Sequence, residues 1–403
     1  MRIGLNLLHA LPEIGGVWNY IEELLAALAK CDAGNSYVAF VTGASESLVP
    51  QSRNFERVVV RIRSAWREWR VVYENTMLQV PARRRNLDCM HWFSATHGWF
   101  NSVPSAVTFY DMQAFLSLAR FTPVKRRYLQ TAMRRTVRQA QVLLPMSHST
   151  AADLCHVLGA NRERITVIPP VVPPSFCVAT RAQSAGFRRR YGLPEQYWLD
   201  VAHYYPHKNH RVLLQAYRRL RDTGMPAWPL VLRGNPRGAE REIEAALSEL
   251  ELRDSVLQLP PLPRAELPGL YAAASALVSP SVYEGAGIPV IEAMSCGCPV
   301  TASGIPALRE FAGEAALYFD PTDEASIAGA MQLMQEDPAR RQELREAGLR
   351  RSELYWPEAV APLLTQAYRQ ASSSAQLGKH GSTGHPSASS APAAGASGRI
   401  SSG

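Results

Sequence analysis

The chain has 403 residues, 46% of them hydrophobic and 19% charged, which suffices for a large buried core. That composition excludes a wholly disordered chain, a collagen-like chain and a small disulfide scaffold. The formal net charge of +8 lies entirely in the first 180 residues, where 20 Lys/Arg face 12 Asp/Glu, while the other 223 residues hold 23 of each.

Residues 3–8 read as a buried strand, which Gly15-Gly16 breaks ahead of a helical periodicity over 17–30. Strands are predicted at 37–42, 57–62 and 106–109, the last ending in Tyr110-Asp111. A basic helix follows over 123–140. A strand at 142–146 leads to a helix reaching 158, capped by Ser147 or Ser149. A strand at 165–168 stops at Pro169-Pro170, and the prolines of 169–180 predict a stiff, extended linker. A second alternation places strands at 197–202, 230–232, 256–259, 276–279, 300–301 and 316–319. Its helices fall at 209–223, 239–250, 267–274, from about 289, and at 324–335 and 338–352.

Two such runs predict an α/β chain with two Rossmann-like, doubly wound parallel sheets facing a cleft, with ligand outside the strands' carboxyl ends. The expected boundaries are 1–178 for an acceptor-side domain and 179–356 for a nucleotide-binding domain. Residues 372–403 hold 24 Ser, Gly, Ala or Pro among 32 and read as a disordered tail. Six scattered cysteines have no second pair or histidine cluster to complete a zinc site, so reduced thiols and no metal are expected. There is no apolar run of the ~18 residues a membrane span needs, nor a signal-peptide pattern after Arg2. A cytoplasmic protein is the expectation.

The most informative stretch runs from Ser279 to Met294. A strand ends, Gly285 and Gly287 permit close backbone approach to a ligand, and Pro289 suits the first helical position. The helix would thus offer free N–H groups and a positive dipole end to an anion. Glu284 and Glu292 stand eight residues apart, up to roughly 12 Å at the helical rise, about the span between the sugar and the ribose of a nucleotide-sugar.

This Glu-x7-Glu stretch, continuing through Cys296-Gly297-Cys298-Pro299, resembles the signature of glycosyltransferase family 4. Gly15-Gly16-Val17, Pro206-His207-Lys208-Asn209-His210, 267–274, 318–321 and Tyr355-Trp356-Pro357-Glu358 are similar to further motifs of that family, over about 1–370. The resemblance implies the GT-B fold, with a last helix at 357–371 crossing back to the first domain. It also implies retaining, metal-independent transfer of a hexose from a nucleotide diphosphate-sugar, without a cofactor. The acceptor would be a glycan or a lipid-linked sugar in polysaccharide biosynthesis. The Pro-His-Lys-Asn-His form resembles mannosyltransferase-like members, which favours GDP-mannose over a UDP-hexose.

Carried over residue by residue, Lys208 meets the donor diphosphate, Glu284 the sugar hydroxyls and Glu292 the ribose. Gly15 and Gly16 approach the diphosphate from the first domain, and Gly285, Ala286, Gly287 and Ile288 do so from the second. Two departures stand out. Ala202-His203 replaces the family's Gly-Arg, so His203, as imidazolium or as a neutral N–H donor, or else Arg233 or Arg211, becomes the second phosphate ligand. Tyr110-Asp111 replaces His-Asp, so a phenol that titrates near ~10 and Asp111 are left to contact acceptor or sugar. The basic helix, with Val124, Tyr128, Leu129, Ala132, Met133 and Thr136 at helical spacing, has two readings: it resembles a membrane-surface helix, which suggests peripheral attachment to the inner face of the cell membrane, and it equally fits an ordinary amphipathic core helix with a solvated basic face. No nucleic-acid partner is expected. A catalytically idle GT-B scaffold or glycan-binding protein is the alternative that the two departures keep open.

Overall fold

In the computed structural model, which describes residues 1–62, 67–116 and 121–380, the strands are short apolar runs because helices cover both faces of each sheet. The first half contributes β1 (Arg2–Asn6), β2 (Ser36–Val41), β3 (Phe55–Val59), β4 (Cys89–Trp92), β5 (Ser105–Phe109) and β6 (Val142–Pro145). Its helices are α1 (Gly16–Cys31), α2 (Arg67–Asn75), α3 (Gln79–Arg84), α4 (Pro123–Gln139) and α5 (His148–Leu158). The second half contributes β7 (Trp198–Val201), β8 (Leu230–Arg233), β9 (Val256–Leu259), β10 (Ala276–Ser279), β11 (Val300–Ser303) and β12 (Ala316–Phe319). Its helices are α6 (Arg181–Tyr191), α7 (His210–Asp222), α8 (Glu240–Glu249), α9 (Leu267–Ala273), α10 (Ile288–Ser295), α11 (Pro306–Ala312), α12 (Glu324–Glu336) and α13 (Pro338–Ser352), and α14 (Pro357–His380) follows.

Every strand pairing is parallel, and the spatial orders are β3-β2-β1-β4-β5-β6 and β12-β11-β10-β7-β8-β9. The two sheets share one topology. In each, the order reverses between the first strand and the fourth, at β1/β4 and at β7/β10, and loops diverge there to leave a crevice. Alternation along β2 divides the packing: Tyr37, Ala39 and Val41 join the core that includes α1 and α14, while Val38 and Phe40 join Met90, Trp92 and Met133 on the other face.

Several elements depart from expectation. β4, α2, α3, α6 and α11 were not predicted. The strand expected at 165–168 is a single bridge between Leu143 and Ile165. The segment read as a linker is extended but not free. Ile168, Val171, Val172 and Phe176 are buried, and the Val172 N–H donates to the Tyr355 carbonyl at 2.8 Å. The two crossings between the halves therefore run side by side. The last helix, expected to stop at 371, continues to His380, and the rest of the predicted tail lies outside the described residues. α14 packs on α1 and the first sheet, where the Tyr368 hydroxyl meets His91 Nδ1 at 2.8 Å. All six cysteines are free thiols. Among the described residues no helix is long and apolar enough to cross a membrane.

Candidate active site

The first crevice wall begins after β1. A short turn at Pro12–Ile14 delivers Gly15 at φ 67°, ψ −107°, a region only glycine occupies readily, and α1 starts at Gly16. A Cβ on Gly15 would lie 2.8 Å from His203 Nε2, so this loop touches the histidine from the opposite domain, whereas a Cβ on Gly16 would meet nothing within 4 Å. His203 Nδ1 accepts the Asn235 N–H at 3.2 Å. That bond leaves the proton on Nε2, the atom facing the glycine loop. Burial, with Arg233, Arg237 and Lys208 nearby, pushes the His203 pKa down to about 4, so the ring is a neutral donor at pH 7.

Lys208 ends the turn Pro206–Lys208, and its ammonium lies 2.5 Å from Glu284 Oε1. Ser281 Oγ donates to the same oxygen at 2.6 Å. Burial alone would raise the Glu284 carboxyl, but Lys208 and Ser281 outweigh it and hold it below its ordinary value. Asn209 fastens this pair. It takes a left-handed φ of 62° and donates its amide to the carbonyls of Pro280 (3.1 Å) and Pro321 (2.7 Å), while the Val282 N–H bonds the His207 carbonyl at 3.0 Å. The motif asparagine thus staples the lysine turn to the glutamate loop, a role its sequence position did not announce.

The glycines beside Glu284 answer to protein contacts too, which corrects a reading by ligand approach alone. A Cβ on Gly285 would sit 2.0 Å from the Tyr110 carbonyl of the first domain, and one on Gly287, at φ 74°, would sit 2.4 Å from Leu308. Tyr283 OH accepts the Met112 N–H at 2.9 Å, so the two domains already meet at this loop. Tyr110 is also corrected. Its hydroxyl donates to the Phe93 carbonyl at 2.6 Å and its ring packs edge-on against Tyr20, which turns the phenol away from a sugar. Asp111 remains, its pKa raised by burial and by Glu284, with the Gln113 N–H and Lys208 opposing.

Helix α10 starts at Ile288, one residue before the position expected, with Pro289 second. The Val290 N–H turns back to the Gly287 carbonyl at 3.0 Å and Pro289 has none, so Gly287 and Ile288 carry the N–H groups left for an anion among the described residues. Glu292 is 3% exposed. Oε1 accepts Arg264 Nη1 at 2.9 Å and Oε2 accepts Tyr271 OH at 2.8 Å, which leaves each oxygen one lone pair for a ribose hydroxyl. Arg264 carried no sequence signal, and Tyr271 lay in the matching stretch 267–274 without a role assigned to it. Of the alternative phosphate cations, Arg211 pairs with Glu249 on the surface at 3.1 Å, away from this cluster. Arg233 stays close, its Nη2 on the Leu262 carbonyl at 2.8 Å. Among the described residues no three His, Cys, Asp or Glu side chains group as a metal site.

Residues 14–176 match the family described as Glycosyltransferase Family 4, and residues 187–351 match Glycosyl transferases group 1. O-antigen chain mannosyltransferase B of Escherichia coli is 33% identical over 240 residues, 59% of this chain and 62% of that protein, so the match spans less than two thirds of that relative. A D-inositol 3-phosphate glycosyltransferase of Xylanimonas cellulosilytica is 31% identical over 305 residues, 70% of each chain. An Anabaena protein solved in complex with UDP and glucose superposes with a TM-score of 0.72 at 16% identity, covering 92% of this chain and 99% of that one. With two matching sheets, two adjoining family domains and relatives of this identity, the chain belongs to the family 4 glycosyltransferases of the GT-B fold.

Proposed function

We propose that the protein is a retaining hexosyltransferase that moves mannose from GDP-mannose, or a hexose from its UDP form, to a glycan or lipid-linked acceptor in polysaccharide biosynthesis. The observation that carries this reading is the convergence of Lys208, Glu284 and His203 Nε2–H on the crevice where both sheets reverse order. The mannosyltransferase among the relatives supports the sugar.

As the bond from the anomeric carbon to the diphosphate breaks, negative charge gathers on the leaving oxygen. Lys208, the His203 N–H and the N–H groups at the start of α10 answer that charge. With a donor bound, Lys208 is shared with the diphosphate and Glu284 turns to the sugar hydroxyls. Asp111 holds the acceptor side. No side chain is assigned as nucleophile; a donor phosphate oxygen takes the acceptor proton on the same face. Fixed cations replace a divalent metal in this scheme.

The acceptor face supports a peripheral membrane reading on the cytoplasmic side. Trp99, Phe100 and Val124 are 49%, 71% and 82% exposed, and the Arg135 guanidinium ties the 97–101 loop to α4 through the Trp99 carbonyl. Aromatic and basic side chains on one face suit an anionic interface. The reading is tested with a panel of labelled nucleotide-sugars in chelator. Mannose transfer from GDP-mannose is the expected result. Failure to bind or turn over any donor overturns it in favour of an idle scaffold, and activity regained only with magnesium or manganese overturns the metal-free scheme.

A further inference from the structure

One buried cluster is not used by the reaction just described. Arg264, in the turn ahead of α9, reaches two carboxylates from different domains: Nη1 lies 2.9 Å from Glu292 Oε1 on α10, and Nε lies 3.2 Å from Glu23 Oε1 on α1. Among the described residues this is the only side-chain ion pair linking residues 1–178 to 179–356. The guanidinium also stacks over Phe176 in the crossing segment, 5.0 Å from the ring centroid. The Glu23 and Glu292 side chains are only 12% and 4% exposed. Arg233 stands beside this cluster. It acts electrostatically on both His203 and Glu292, and its buried Nε has no hydrogen-bond partner among the described residues.

We infer that Arg264 is a positioning residue and an interdomain latch: it orients Glu292 for the ribose of a ribonucleoside diphosphate while gripping Glu23 of the first domain, so that nucleotide binding and closure of the cleft reinforce each other. The inference rests on the proposed donor site. Opening the cleft separates Arg264 from Glu23 but not from Glu292, which belongs to its own domain. Within hydrogen-bonding reach the closed cluster sets two carboxylates against one cation, Arg264, while Arg233 acts on Glu292 without a hydrogen bond to it, which leaves Glu23 poorly balanced for a buried group. Glu23 takes up the difference. Burial pushes its pKa up to about 7 despite Arg264, with Glu22 and Glu292 adding to the rise. The other ionisable groups facing the cluster are Tyr271, Arg233 and Cys296. A carboxyl released to water returns towards its ordinary value of about 4.3, so closure takes up a proton between roughly pH 4.3 and 7. The latch is therefore firmest when Glu23 is protonated. It weakens as pH rises through that window and is constant above it.

Calorimetry with GDP, UDP and 2′-deoxy-UDP on the full chain tests this at pH 6 and pH 8. Glu23→Gln mimics the protonated carboxyl and still accepts from Arg264. It should bind more tightly than the parent at both pH values, with the larger gain at pH 8. Comparison with the parent cancels the titration of His203. Arg264→Ala should lose about tenfold or more in affinity and lose the preference for UDP over 2′-deoxy-UDP. Arg264→Lys should recover only part of this, because one ammonium cannot hold both carboxylates. Glu23→Gln placed on Arg264→Ala should restore affinity, because it removes an unpaired carboxylate from the other domain. Additive losses, or variants within twofold of the parent at both pH values, overturn the inference. If the parent binds none of the three nucleotides, the donor reading itself fails. Small-angle scattering then decides the latch, with the parent more open at pH 8 than at pH 6 and Glu23→Gln closed at both. Equal dimensions throughout overturn it. Should Arg264→Ala fail to fold, Glu23→Gln and Arg264→Lys carry the same comparisons.

Discussion

Glu284 and Lys208 are 76 positions apart in sequence and 2.5 Å apart in space. Their partnership determines what each does alone. Glu284→Gln keeps the shape but removes the charge that balances Lys208, so transfer should fall on the order of tenfold to a hundredfold while nucleotide affinity changes little. Steady-state kinetics beside calorimetry checks this, and equal losses in both would place Glu284 on the nucleotide instead of the sugar. His203 is neutral in the free protein, with its pKa pushed down to about 4. A bound diphosphate favours the imidazolium, so the bound pKa is higher than the free one. Donor affinity should then be greatest at low pH, fall as pH climbs through the bound value, and level off above it. His203→Gln retains a neutral N–H donor, so it should match the parent at high pH and lose that part of the pH dependence. Gly15→Ala should cost about 1–3 kcal/mol in strain, because it forces a side chain into φ 67°, ψ −107° against His203. Thermal unfolding would read it. At this scale Lys208, Glu284 and Glu292 drew notice because residue type and motif spacing coincide there, whereas Arg264 and Glu23, equally charged, did not, since their pairing spans 241 positions. The glycines were legible as special backbone but not in purpose, since Gly285 answers to a carbonyl 175 residues away in sequence. Tyr110 was misread for the same reason: the Phe93 carbonyl that claims its hydroxyl leaves no local trace.

Among elements, legibility followed the punctuation. Helix α10 was evident from the Gly-x-Pro start that follows a buried strand, and α5 from its cap, with Ser147 Oγ accepting the Thr150 N–H at 2.9 Å. Strand β4 was missed because it has four residues, Cys-Met-His-Trp, all buried, with neither alternation nor a β-branched run to mark it. Its His91 is satisfied by Tyr368 and by Thr108 at 2.8 Å each, partners no local pattern reveals. Helix α11 begins on a proline and spans seven residues, too short for a periodicity to register. On α4 the structure sorts the stripe read from sequence. Met133 and Thr136 face the core, joined by Val137 from outside the stripe, whereas Val124 and Tyr128 stay outside. The membrane reading therefore rests on the outer residues and the neighbouring loop. Replacing Trp99 and Phe100 by Ser should weaken sedimentation with vesicles containing phosphatidylglycerol by about tenfold without lowering the melting temperature. Unchanged sedimentation would assign that face to something other than lipid.

Across the whole molecule, two parallel sheets were readable from rhythm alone, because every strand and helix must cover its neighbour's apolar face. The pairing of distant segments was not. α14 buries Val360, Ala361, Leu364, Ala367 and Tyr368 against the opposite end of the chain. At about 1.5–3 kcal/mol for a large buried side chain, its loss would rival the ~5–15 kcal/mol that holds a typical domain together. A chain ending at Trp356 should therefore fail to give a cooperative melt. One ending at Ser374 keeps the buried stretch from Val360 to Ala371 and should melt within a degree or two of the parent.

Because that helix closes a face of the first sheet, the order of synthesis matters. Residues 1–178 leave the ribosome with Tyr37, Cys89 and His91 lacking the layer that will cover them. The missing layer is made only after the whole second domain, and at about 5–20 residues per second that interval lasts roughly ten to forty seconds. During it the nascent chain presents an uncovered parallel sheet, a surface that chaperones hold and that neighbouring chains on a crowded polysome can pair with. The first half of this protein is thus completed last, and its yield in a cell should depend on how well that interval is guarded.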